Sequence, residues 1–228
     1  MDTAKRTGRT IAVLLLAQIV GSVIVNSVLL GPVFAAPGFL VNAATHPMHV
    51  ALAVLLGLAT SALGLGIAIA AWPVVRPHSR AMAQWLLALA VAAFAVSATE
   101  YVATWSLLNL SQAYAKAGVA DAGLYQALRG VVASARNGAH YVGLVIVGFM
   151  LLVFYGSLYR FRLVPRALAT FGLAAVLLQM ISVAMPLYGE PVVFAMLMPL
   201  GLCQLALALW LLARGLAERA PLAPAGGG

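Results

Sequence analysis

Six apolar runs, each long enough to cross a bilayer, leave this chain few residues from which to build anything but a membrane bundle. At about 20 residues per helical span, the runs are Ile11–Leu30, His49–Val74, Ala83–Leu110, Gly138–Leu158, Ala167–Leu187 and Val192–Leu212. Only 8% of the 228 residues are charged and 64% are hydrophobic, whereas soluble domains carry about 25% charge. The expected fold is all-α: an integral membrane bundle of six transmembrane helices, with a lipid bilayer as its main partner. Residues 1–217 are expected to form a single six-helix transmembrane domain, with the Pro-, Ala- and Gly-rich stretch 218–228 as a disordered tail.

The net charge of +8 does not imply a nucleic-acid partner. Such a partner needs a continuous basic footprint, and here the basic residues are scattered over short connectors. With the amino terminus cytoplasmic, Lys5, Arg6, Arg9, Arg76, Arg80, Arg160, Arg162, Arg166, Arg214 and Arg219 fall inside. Lys116, Arg129 and Arg136 fall outside. That bias follows the positive-inside rule and places both termini in the cytoplasm. The first apolar run, followed by Val33-Phe34-Ala35, has some character of a cleavable signal peptide. Its length exceeds the usual apolar core of about 7 to 15 residues, so a retained first helix is expected.

The connectors carry structure of their own. Gly31–Pro47 holds three prolines and no charge, which suits an ordered turn near the interface. In Ser111–Asn137, Asp121 can cap a helix on which Leu124, Leu128, Val131 and Ala135 recur on one face. This segment is expected to be a short amphipathic outer helix between the third and fourth spans, either a plain link or a lid. Gly57 and Ser61, with Gly64 and Gly66 after them, form a small-residue surface for close helix packing. Cys203 has no partner cysteine and is expected to be a small buried hydrophobe.

Glu100 is the polar anomaly, a lone carboxylate in the third span. At membrane depth such a group costs several kcal/mol unless paired, protonated or hydrated, so it marks a site. Ser97, Glu100 and Thr104 share a helical face, and Arg136 and His140 share another at the outer end of the fourth span. Counting 1.5 Å per residue from the centre of each span puts Glu100 about 5 Å outside the midplane and His140 roughly 7 Å further out. By the same count Gln179 falls level with Glu100 and Asn26 somewhat further out. The candidate pocket therefore comprises Glu100, His140, Arg136, Gln179, Ser97, Thr104 and Asn26.

Four readings of that pocket stand open. Glu100 can bind a proton or cation for transport, with Arg136 and His140 at the outer entrance. It can act as a general base in a membrane-embedded enzyme. His46, His49 and His140 are weak candidates for a metal or haem, but their spacing matches no ligand motif and no cofactor is expected. Finally, the polar groups can serve packing alone, as interhelical glue. His78, in a basic loop, is expected to be solvated.

The second half carries a resemblance. His140-Tyr-Val-Gly143-Leu, Gly156-Ser-Leu-Tyr-Arg160, Val164-Pro165-Arg166-Ala-Leu168, Phe171-Gly172 and Leu205-Ala-Leu-Ala-Leu-Trp210-Leu-Leu-Ala-Arg214-Gly215 resemble a bacterial multi-pass membrane family known only as a domain of unknown function, DUF4386. The resemblance implies a six-helix protein of the bacterial inner membrane and brings no established activity, substrate or cofactor. Family members often carry an arginine in the third span near the position of Val96, and its absence here removes one possible partner of Glu100.

Overall fold

The computed structural model describes residues 3–117 and 121–217. The tail expected over 218–228 lies outside the described residues. Among those described there are eight α-helices and no strands: α1 Thr3–Val23, α2 Gly31–Phe34, α3 Phe39–Thr45, α4 Pro47–Val75, α5 Arg80–Ala117, α6 Ala122–Arg160, α7 Arg166–Ala184 and α8 Met198–Arg214. Six helical stretches are long and apolar enough to cross a membrane, and they coincide with the six apolar runs. The first continues past α1 through a π-helical turn, Ile24–Leu29.

One expectation changes in form. The segment after Asp121 is helical, yet it is no separate outer helix, because α6 runs unbroken from Ala122 to Arg160. α5 likewise continues through Ser111 to Ala117. At 1.5 Å per residue each of these two helices is about 57 Å long, against a hydrocarbon core of about 30 Å. Polar residues in 111–117 and 122–137 end the apolar runs, but none of them is a proline, and the ladders of α5 and α6 continue through them.

By packing, the chain divides into two units. The Glu100 unit comprises Ala17–Ala62 and Ala93–Gly143. Its core joins Val33, Phe39 and Ala43 of the short connector helices to Val50 of α4 and to Leu107 and Leu108 of α5, with Val132 and Ala133 of α6 packed against them. Two polar contacts pin this connector. The Ser111 hydroxyl donates to the Leu40 carbonyl at 2.8 Å, and the Asn42 amide donates to the Ala35 carbonyl at 2.7 Å. Gly57 admits the Tyr101 ring so closely that a Cβ there would collide with it. Gly21 admits Thr60 in the same way. Gly57 of α4 and Gly21 of α1 are thus sites of close helix packing.

The C-terminal unit comprises Met1–Leu16, Leu63–Ala92 and Leu144–Gly228. Its core includes Tyr155, seated in the notch left by Gly172, together with Val176, Leu207, Leu211 and the fully buried Cys203. At one end, the Ser182 hydroxyl donates to the Val193 carbonyl at 3.0 Å and accepts from its N–H at 3.1 Å, clamping the turn after α7. At the other, α6 leads into α7 through Arg162, whose φ of 54° lies in the left-handed region. A left-handed residue costs an L side chain roughly 1 to 2 kcal/mol. The turn is held by the Leu163 N–H on the Leu158 carbonyl and by the Ala217 N–H on the Leu163 carbonyl.

Candidate functional site

The site forms where α5 and α6 meet in the Glu100 unit. Arg136 and His140 lie one turn apart on α6, so their side chains project from one face. The orientation of that face is set by packing. Leu124, Leu128 and Val131 are 60%, 42% and 70% exposed, while Val132 and Ala133 pack inward. The apolar stripe recognised in the sequence is therefore exposed, while Arg136 and His140 are partly buried against the rest of the unit.

Both α6 side chains converge on one oxygen. Arg136 Nη2 donates to Glu100 Oε1 at 2.9 Å, and His140 Nδ1 lies 3.0 Å from the same atom. The side chains of Arg136 and Glu100 are only 13% and 11% exposed, whereas that of His140 is 32% exposed. A guanidinium is always charged, so Arg136 compensates the carboxylate where solvent cannot. With the carboxylate accepting, His140 Nδ1 carries the proton, and its Nε2 makes no hydrogen bond among the described residues. The imidazole thus stands between the carboxylate and the solvent.

A third contact completes the arrangement. The Arg136 Cζ lies 5.2 Å from the centroid of Phe34, at the end of α2, in cation–π geometry. Its Nη1 donates to Asn137 Oδ1 at 3.2 Å, and its Nε is buried with no hydrogen-bond partner among the described residues. The connector 31–47 thus contributes Phe34 to the cluster. Phe34 was missed as a site residue, and the only signal for it was an aromatic in an uncharged, proline-rich segment.

The other candidates scatter. Thr104 is buried, but its hydroxyl donates to the Glu100 backbone carbonyl at 2.9 Å rather than to the carboxylate. Ser97 is half-buried one turn before Glu100 and makes no side-chain hydrogen bond among the described residues. Asn26 is exposed, and its amide turns back on its own helix to the Ser22 carbonyl at 2.9 Å. Gln179 belongs to the C-terminal unit, and its Oε1 is buried with no hydrogen-bond partner among the described residues. Glu100 thus finds its partners on α6. The axial offset counted for His140 is spanned by the two side chains, with no bridging water needed.

The remaining histidines stay local. His46 and His49 pack edge to face at 5.3 Å, and His46 Nδ1 is engaged by Thr45 Oγ1 and the Asn42 carbonyl. His78 Nδ1 contacts the Val74 carbonyl at 3.0 Å, and its ring stacks near Phe161, so it is less solvated than its loop implied. Among the described residues no three His, Cys, Asp or Glu side chains gather as a metal site.

The cluster has the parts to hold and pass a proton: a carboxylate, a fixed compensating charge and an imidazole with one free nitrogen. No curated protein and no solved structure matches the chain. Residues 10–215 match the family described as Domain of unknown function (DUF4386), and the chain belongs to that family.

Proposed function

We propose that this multi-pass membrane protein sits in the bacterial inner membrane with both termini cytoplasmic, and that its Glu100–Arg136–His140 cluster binds and releases a proton in the handling of a small solute. One observation carries the reading: a nearly buried carboxylate shares a single oxygen between a permanent cation and a partly exposed imidazole. Ionisable groups at membrane depth mark ion or proton paths by default, and histidine is the side chain suited to exchange near neutral pH. The test is proton flux into proteoliposomes loaded with a pH-sensitive dye, under an imposed gradient. Glu100→Gln and His140→Ala abolish the flux, while Leu124→Ala, on the exposed face of the same helix as His140, leaves it intact. Equal flux in all four proteins sinks the reading.

A second reading has its own support. The same ion pair ties α5 to α6, and Phe34 stacks on its arginine, so the cluster also works as a clamp. Under that reading alone, Glu100→Gln alters stability and leaves flux unchanged.

A further inference from the structure

Away from Glu100, in the C-terminal unit, three arginines from two segments surround one cavity of about 480 Å3. Arg162 and Arg166 come from the turn between α6 and α7, and Arg214 closes α8. Arg166 is the first residue of α7 and Arg214 the last of α8, so the two antiparallel spans bring them to the same end. Trp210 adds an aromatic wall, and the buried Leu163 and Val164 back the turn.

The cavity is built rather than left over. Arg162 is held at a positive φ, a conformation that persists only where the surroundings impose it and that gathers at ligand sites. The Ala217 N–H closes the wall onto the Leu163 carbonyl at 2.9 Å. Gly215, at φ 73°, lets the backbone turn against Lys5, and Gly8 lets α1 press on Leu216. Among the described residues none of the three guanidinium groups is paired with a carboxylate, since the only ion pairs are those of Glu100. Three exposed guanidinium groups lining one cavity give it a positive character that suits an anion.

We propose that this cavity binds a phosphate group, with Arg162, Arg166 and Arg214 as its ligands and Trp210 as the aromatic wall beside it. Guanidinium forks match phosphate oxygens two at a time, which a simple excess of positive charge does not require. Its volume falls within the roughly 300 to 1,000 Å3 of small-molecule sites. Basic pockets between spans are where anionic lipid headgroups dock, and interfacial tryptophan is common beside them. Phosphatidylglycerol from the adjacent leaflet and soluble inorganic phosphate share the chemistry, and the experiment separates them.

The full chain is placed in nanodiscs of phosphatidylcholine alone, of phosphatidylcholine with phosphatidylglycerol, or of phosphatidylcholine with added inorganic phosphate, and its thermal midpoint is read. A rise with phosphatidylglycerol that is lost in the triple variant R162Q/R166Q/R214Q assigns the site to a lipid headgroup. A rise with inorganic phosphate, lost in the same variant, assigns it to a soluble anion. No rise in either arm overturns the proposal, as does an equal rise in the triple variant. Should that variant fail to fold, R162K/R166K/R214K keeps the charge and removes the forks. In whichever arm raised the wild-type midpoint, the rise is lost or strongly reduced in that lysine variant; an unchanged rise overturns the proposal.

Discussion

Glu100 has two side-chain partners on Oε1, one a permanently charged and nearly buried arginine, the other a partly exposed histidine. That asymmetry makes the three substitutions unequal. Glu100→Ala leaves Arg136 nearly buried with no counter-charge, which costs about 3 to 5 kcal/mol for a buried pair broken on one side. Glu100→Gln keeps an acceptor carbonyl and costs about 1 to 2 kcal/mol. His140→Ala, at a partly exposed ring, costs less than either. Thermal unfolding in detergent ranks them, and a Glu100→Ala midpoint equal to that of wild type refutes the pairing. Gln179 behaves oppositely. Its Oε1 is buried with no partner among the described residues, so Gln179→Leu removes an unsatisfied acceptor and raises stability by about 1 kcal/mol; a lowered midpoint refutes this. Depth counting put Gln179 level with Glu100 because it supplies one coordinate along the membrane normal. It says nothing of which helices are neighbours or how each is rotated. The pairing of Arg136 with His140 was legible for the opposite reason, since a spacing of four on one helix fixes both coordinates.

At the scale of elements, the six spans were legible because hydropathy tracks the solvent, and lipid demands long apolar runs. The lengths of α5 and α6 were not, because outside the hydrocarbon hydropathy no longer tracks the helix. Ser111, Gln112 and Lys116 end the apolar run yet continue the ladder. Phe34 could not be found from local pattern at all, since its role depends on a tertiary contact with a residue a hundred positions away. The glycines give a test of opposite signs. Gly57→Ala gains helix propensity of up to about 1 kcal/mol, but its Cβ meets the Tyr101 ring, and overpacking of this kind costs about 1 to 3 kcal/mol. Gly201 lies within α8 with nothing inside 4 Å of the added Cβ. Gly201→Ala is therefore stabilising by up to about 1 kcal/mol, and Gly57→Ala is destabilising on balance. Two thermal melts decide the matter, and two shifts of the same sign would falsify the packing role of Gly57.

For the molecule as a whole, orientation links charge to the use of the site. Glu100 lies in the half of α5 nearer its C-terminal end, and Arg136 and His140 lie in the first half of α6, so the cluster belongs to the end of the chain marked by the 118–121 connection. Arg76, Arg80, Arg160 and Arg166 mark the opposite ends of the same helices and of α4 and α7. Inverting the protein would carry those arginines across the bilayer, where the core position of each costs about 2.5 to 3.5 kcal/mol during insertion. Under the proposed orientation those arginines stay in the cytoplasm, His140 faces the periplasm, and a proton entering by the proposed route would meet His140 before Glu100. Cysteine accessibility tests the step directly, in a Cys203→Ala background that removes the single native thiol. A membrane-impermeant maleimide applied to intact spheroplasts labels Gly123→Cys and Glu190→Cys, and labels His78→Cys only after lysis. The reverse pattern overturns the orientation and moves the site's entrance to the cytoplasm, where an inward proton gradient would drive release at Glu100 rather than uptake.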